Sequence, residues 1–379
     1  MKYVTLWFFT LTMATFVGHT TVAIASESPA RSISESSSEV TKPPVVNGLF
    51  YLSWQSGESG GAEFSEFFIH RAYFTFRRQI KPWLSARLTI DTDQDHDGDG
   101  EGDMEVRLKY AYANFGLASL GALQNIHAEF GIVHTVWIDF MEAINLYRMR
   151  EAMFMERNGI LSSADFGLTL NADLGKPLPA EYREQISGKY AGRHGSLSVG
   201  IYNGGGYHAI EKNQDKVAQG RLTVRPLAGV LPGLQLSGLI IHGRGNKAGS
   251  RSQTPVWTTW SGLLSYQHRF GTLTAQIVGG EGNQSGDWAS ASDSTKSLGY
   301  SGWSLFGEGR INRRWRLIAG LDRFDLAESA RDQYNEAFVG IGCVLTCNNI
   351  LLMDFTQRRM DDSAVPNDQW IQVTLQVSF

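Results

Sequence analysis

The sequence lacks most of what would place it in a familiar soluble class. It holds only two cysteines, Cys343 and Cys347, so no disulfide framework builds the fold. Neither sign of charge dominates: 34 Lys and Arg stand against 38 Asp and Glu, a formal net charge of -4, which gives no electrostatic case for nucleic acid. Beyond the first 25 residues no uninterrupted apolar run approaches the ~18 residues of a membrane-spanning helix. The histidines, among them His70, His127, His134, His194, His208, His242 and His268, are scattered and form no H-E-x-x-H signature. No repeat of about 20–50 residues points to a solenoid or propeller.

What is present begins with a leader. Residues 1–25 carry one charge, Lys2, then an apolar run from Val4 to Val17, and end in Ala23-Ile24-Ala25. That is the pattern of a secretory signal peptide, and cleavage after Ala25 would take the net charge from -4 to -5 by removing the one Lys. Residues 26–46 are rich in Ser, Glu and Pro with almost nothing to bury, and are expected to form a flexible periplasmic leader. Residues 47–379 are then the folded body.

The body ends on Gln369 to Phe379, QWIQVTLQVSF, in which Ile371, Val373, Leu375, Val377 and Phe379 alternate with mostly polar neighbours. A period of two gives a strand one apolar and one wet face. The same alternation sets Leu84, Ala86, Leu88 and Ile90 against Ser85, Arg87, Thr89 and Asp91, and Leu317, Ala319 and Leu321 against Arg316 and Asp322. It also sets Val106, Leu108, Tyr110 and Tyr112 against Arg107 and Lys109. Such strands suit lipid on one side and water on the other, and about ten residues cross a bilayer when tilted. The fold class expected is all-β, a transmembrane antiparallel β-barrel in the bacterial outer membrane.

About sixteen strands are predicted, near 47–54, 66–78, 83–91, 104–116, 126–134, 164–173, 196–203, 217–225, 233–242, 257–269, 272–280, 300–311, 315–323, 336–345, 350–358 and 369–379. Glu184 to Ala191 is either a further strand, which with a missed partner would make eighteen, or an extended turn after Pro177 and Pro179. Trp54, Trp83, Tyr112, Trp257, Trp315 and Trp370 lie toward strand ends, where aromatic rings suit the headgroup zone. Cys343 and Cys347 flank a predicted periplasmic turn, in a compartment where they are either bonded or free.

Two stretches carry candidate chemistry. From Asp91 to Glu105 every odd position is acidic, and Asp93, Asp95, Asp97, Asp99 and Asp103 form a candidate calcium site, with Gly98 where an EF-hand loop turns sharply. The match fails at its twelfth position, Met104, so a solvated acidic external loop touching divalent ions at the lipopolysaccharide surface, or carboxylates lining the barrel mouth, are the other readings. The second stretch is Thr135 to Ser163, too long for a hairpin and too apolar to hang in water. It is expected to fold inside the barrel and narrow it, with Arg148, Arg150, Glu151, Glu156 and Arg157 at the constriction. Facing it, the strand register aims Arg71, Arg77, Arg87, Arg107, Lys109, Arg221, Arg225, Arg269, Arg310 and Arg316 inward as pore wall.

Around this loop the order of short motifs becomes specific. Phe154-Met155-Glu156-Arg157, Asp165-Phe166-Gly167-Leu168, Gly200-Ile201-Tyr202-Asn203-Gly204, Asn213, Lys216, Gly220-Arg221-Leu222 and Pro226 together resemble the phosphate-selective porin O and P family. The resemblance covers roughly residues 120–226. It implies a sixteen-stranded homotrimeric porin whose third external loop enters the lumen, passing small hydrophilic or ionic solutes, among them anions such as phosphate. No enzymatic activity and no required cofactor follow from it; lipid, lipopolysaccharide and the solutes are the expected partners. The loop offers acids as well as arginines, so phosphate selectivity does not follow from the residues themselves. A structural or adhesive barrel, or a membrane-embedded hydrolase, are the alternatives.

Overall fold

The computed structural model describes residues 43–94, 104–346 and 348–379. The first 42 residues, the segment 95–103 and Cys347 lie outside them. The signal peptide, nearly all of the leader, Asp95, Asp97, Asp99 and Asp103 of the candidate calcium site, and the pairing of Cys343 with Cys347 therefore lie outside the described residues too. Asp93 falls in a strand, but its side chain is likewise outside them.

In chain order the strands are β1 (Val45–Ser59), β2 (Ala62–Lys81), β3 (Leu84–Gln94), β4 (Met104–Gly116), β5 (Leu123–His134), β6 (Ala164–Leu174), β7 (Gly195–Tyr202), β8 (Val217–Val224) and β9 (Leu234–Arg244). They continue as β10 (Val256–His268), β11 (Gly271–Glu281), β12 (Ala289–Ser290), β13 (Asp293–Ser297), β14 (Gly299–Arg310), β15 (Trp315–Leu326), β16 (Gln333–Thr346), β17 (Asn349–Met360) and β18 (Asp368–Ser378). β12 and β13 make a small separate hairpin, and the other sixteen close a barrel in which every neighbour is antiparallel. The seam runs from Leu49 opposite Ser378 to Glu58 opposite Gln369, so the terminal strand pairs with the first. Each of the sixteen predicted strands is found. Glu184–Ala191 is not a strand: Ala180–Gln185 forms a short helix, α3, directly after Pro179, inside a long turn. Eighteen barrel strands are thereby excluded.

The barrel is apolar outside and polar inside. Phe67, Phe74, Leu88, Ile240, Leu305, Leu317 and Val339 are exposed on the outer wall. Inward positions carry hydrogen-bonding groups such as Ser198, Thr223, Ser237, Ser261 and Gln276, satisfied by one another across strands. One stretch of inner wall departs from this rule. Val217, Leu239, Ile241, Trp257, Leu263 and Val278, on β8 to β11, point inward and are buried. They form the seat of the residues 135–163, described below.

Two expectations about side-chain direction need correction. Tyr110 and Tyr112 face the lumen, not lipid: Thr89 pairs with Tyr110 and Ile90 with Leu108, so Lys109 is a bulge that shifts the phase of β4 by one residue. Trp257 is no girdle residue; it is fully buried against the inner loop, its indole N–H donating to Thr259.

Candidate functional site

The loop 135–163 enters the barrel from the end opposite the start of β1 and the end of β18. Thr135 N–H donates to the Ser163 carbonyl at 3.1 Å and its hydroxyl to Ser162 at 2.9 Å, which pinches the base of the loop shut. Within it, α1 (Ile138–Ile144) buries Ile138, Phe140, Met141 and Ile144 on one face and leaves Asp139 and Glu142 on the other. α2 (Phe154–Arg157) buries Phe154 and Met155. These side chains pack on the apolar seat of β8 to β11 and on Tyr300 and Phe324. Each fully buried side chain of this size contributes ~1.5–3 kcal/mol, so the loop is held by its own core.

The charged side of the loop is tied down as firmly. Arg148 donates to both carboxylate oxygens of Glu156, at 2.5 and 2.9 Å, and lies 2.7 Å from Glu142. Arg150 reaches the wall, donating to Glu336 at 3.0 Å and Thr356 at 3.1 Å, with Asp354 at 3.5 Å and the Phe338 ring 3.6 Å from its guanidinium carbon. Arg157 donates to Asp322 and to Glu151, and Glu151 also accepts from Arg150. Arg358 joins from β17, 2.7 Å from Glu336. The five loop residues expected at the constriction thus fall into two lumenal ion networks, Arg148 with Glu142 and Glu156, and Arg150, Glu151 and Arg157 with the wall acids, and in both every guanidinium meets a carboxylate. Burial alone would raise the Glu156 carboxyl, but the Arg148 guanidinium holds it down to about 2. For Asp139 the same contest ends well below the usual carboxylate range, with burial opposed by Lys189 and His134.

The wall residues other than Arg225, Arg269 and Arg310 divide into four groups. Arg71 and Arg107 both lie 3.9 Å from Asp91, which also accepts from the Tyr207 hydroxyl; this acid of the 91–105 run is buried inside the barrel. Arg221 is fully buried: it donates to the Val136 carbonyl, Ser196, Ser198 and Thr223, and stacks on Phe140, so it anchors α1. Arg316 sits near the turn end, 3.7 Å from Glu308 and bonded to the Asn312 carbonyl.

Arg77, Arg87 and Lys109 form the fourth group, and among the described residues none has a carboxylate within ion-pair distance. Arg87 donates to Thr89 and meets His134 Nε2 at 2.9 Å, with its guanidinium over the Tyr110 ring at 4.4 Å. Lys109 donates to the Tyr73 hydroxyl and lies 4.6 Å from that ring's centre. Aromatic faces stabilise a cation by ~0.5–2 kcal/mol without neutralising it. These charges border a cavity of about 610 Å³ between the loop and β1 to β4, together with Tyr51 and Leu146. Sequence reasoning named all three cations but gave no reason to rank them above the loop arginines. The signal was indirect: the stretch from Arg77 to Thr89 contains no carboxylate, whereas the inward alternation of β15 to β17 supplies Asp322, Glu336 and Asp354.

Nucleophile chemistry finds no support here. Gly57-Glu58-Ser59-Gly60-Gly61 fits a G-x-S-x-G pattern, but it forms a strand-to-strand turn, not the strand-to-helix elbow that presents a nucleophile. Among the described residues no cluster of three His, Cys, Asp or Glu side chains is arranged to hold a metal.

No family model matches the chain, and no curated protein matches it by sequence. Solved structures do. The chain is similar to OmpF of Salmonella typhi, at 12% identity and a TM-score of 0.59, covering 89% of this chain and 97% of that one. It is similar to the outer membrane channel DcaP of Acinetobacter baumannii, at 12% identity and 0.57, covering 90% and 99%. An anion-selective porin from Comamonas acidovorans superposes at 9% identity and 0.60, covering 89% and 99%. At such identities the likeness concerns fold, and the fold of this chain is that of the outer-membrane porins, with an apolar outer belt suited to that membrane.

Proposed function

We propose that this protein is a passive diffusion channel of the bacterial outer membrane, without enzymatic activity, that favours small hydrophilic anions. The observation that carries the reading is the unequal neutralisation of the lumen. Arg148, Arg150 and Arg157 are matched by Glu142, Glu151, Glu156, Asp322, Glu336 and Asp354. Arg77, Arg87 and Lys109 are not, and they border the cavity between the loop and the wall. A cation held on an aromatic ring keeps its full field, and that field reaches ~8–10 Å at ordinary ionic strength, far enough to span a narrowed lumen. The loop arginines on this reading shape the constriction, and the opposite wall sets its preference. The resemblance of residues 120–226 to the phosphate-selective porin O and P family supports the anionic side and a homotrimer, with phosphate one solute to be tried.

The test is the reversal potential of single channels in a planar bilayer under a salt gradient. Wild type is expected on the anion side, and Arg87→Gln with Lys109→Met together should move it toward cations. Absence of conductance from a correctly folded barrel would remove the channel reading, and a reversal potential insensitive to both substitutions would remove these residues from the selectivity path.

A further inference from the structure

The connection between β6 and β7, residues 175–194, is long for its end of the barrel, where the other described connections are short. It shares that end with the start of β1 and the end of β18, since it follows a strand that descends from the loop 135–163. It is also folded. Leu178 and Tyr182 are buried, Leu178 N–H donates to the Ala191 carbonyl at 2.8 Å, and Arg183 donates to the Leu178 carbonyl at 3.0 Å. Its tip reaches the inner loop. Lys189 Nζ donates to Asp139 Oδ1 at 2.8 Å and the Tyr190 hydroxyl to Asp139 Oδ2 at 2.7 Å. The Tyr190 ring packs edge-on against Phe140, 5.4 Å between centres, and the Arg221 guanidinium lies 4.2 Å from one ring and 4.6 Å from the other. Tyr190 holds a left-handed backbone, φ 51°, which a bulky side chain adopts only when its surroundings enforce it.

Asp139 lies on α1, which enters from the opposite end of the barrel. A segment from each end therefore meets in mid-lumen, on two hydrogen bonds to one carboxylate. We infer that residues 175–194 are a strap that closes this side of the lumen from the turn end, and that Lys189 is a selectivity-determining residue because it cancels Asp139. The Lys189 side chain is 58% exposed and that of Asp139 13%, so the pair opens to the lumen on the lysine side. Asp139 borders the same cavity as Arg77, Arg87 and Lys109. An uncancelled carboxylate at that point would oppose the wall cations, Arg87 most directly, since His134 Nε2 lies 2.9 Å from Arg87 and 3.5 Å from Asp139. The charge half of this inference rests on the channel reading above; the closure half needs only that ions cross the barrel.

Single-channel recording separates the two halves. Lys189→Met should shift the reversal potential toward cations, and adding Asp139→Asn should return it toward the wild-type value; Lys189→Arg should leave it in place. A Lys189→Met channel with unchanged reversal potential overturns the selectivity role. Replacing residues 180–188 by a short Gly-Ser link should raise conductance by opening the strapped side, and an unchanged conductance overturns the strap. A wild-type channel that prefers cations would remove the anion reading while leaving the conductance comparison decisive. An anion-preferring wild type indifferent to both changes would remove the strap and Lys189 alone.

Discussion

At the scale of single residues the consequential contest is between burial and pairing in the loop 135–163. Glu156 is held down to about 2 by Arg148 against the effect of burial, from an ordinary value near 4.5. A carboxylate whose folded value is depressed stabilises the fold above its unfolded value, and that contribution is lost as pH falls toward the folded one. The Arg148–Glu156 clamp should therefore be intact at neutral pH, weaken as pH drops below about 4.5, and be gone near 2. Open-channel current noise is expected to grow over that interval in wild type. Glu156→Gln should show the noise already at pH 7 with a flatter acid response, and a wild-type-like trace would dissociate the clamp from loop mobility. Residue identity in these pairs was readable in the sequence, since Arg148, Arg150, Glu151, Glu156 and Arg157 stand out in an apolar loop. Their partners were not, because Glu336 and Asp354 are about two hundred residues away and only barrel closure brings them to Arg150.

At the scale of elements, the inner loop is doubly fixed, by apolar packing on β8 to β11 and by its own arginines bound to carboxylates of β15 to β17. Removing one member of a buried ion network leaves the other uncompensated, at a cost on the order of 3–5 kcal/mol. Arg150→Ala should accordingly strand Asp354, while Glu336 keeps Arg358, and loosen residues 145–157 while the barrel itself stays closed. Limited proteolysis of the folded variant is expected to cut in that stretch, where wild type resists; equal resistance would mean the apolar seat suffices. That seat had a sequence signature. On β9, Leu239 and Ile241 occupy the face that Gln235 and Ser237 share, so Leu239-Ile240-Ile241 is apolar on both sides, as only a strand covered on both faces should be. The bulge at Lys109 had none: one extra residue flips every later side chain of β4, and the hydrophobic pattern reads equally well in either phase through two tyrosines.

At the scale of the whole molecule, stability rests on a seam between the first and last strands. Gly48 and Phe379 exchange backbone hydrogen bonds at 3.0 and 3.1 Å, and the Phe379 ring packs near Phe50. Further along, a side chain at position 57 would place its Cβ 2.1 Å from the Gln369 carbonyl oxygen, backbone that cannot move without opening the ladder. Gly57→Val is expected to lower refolding yield and the temperature at which the compact electrophoretic form converts to the unfolded one. Unchanged conversion would mean the seam tolerates a local bend.

The sequence by itself determined the barrel, because a period of two, repeated sixteen times with lipid-suited faces, leaves a membrane chain no other way to satisfy its backbone. It also marked the loop that must fold inward, since Thr135 to Ser163 is too apolar for water. Only the tertiary structure decided which cations face the lumen unneutralised, and that residues 175–194 reach Asp139 from the other end. Both depend on strands distant in sequence becoming opposite walls of one narrow space, and electrostatic preference is fixed by separations of a few ångströms across it.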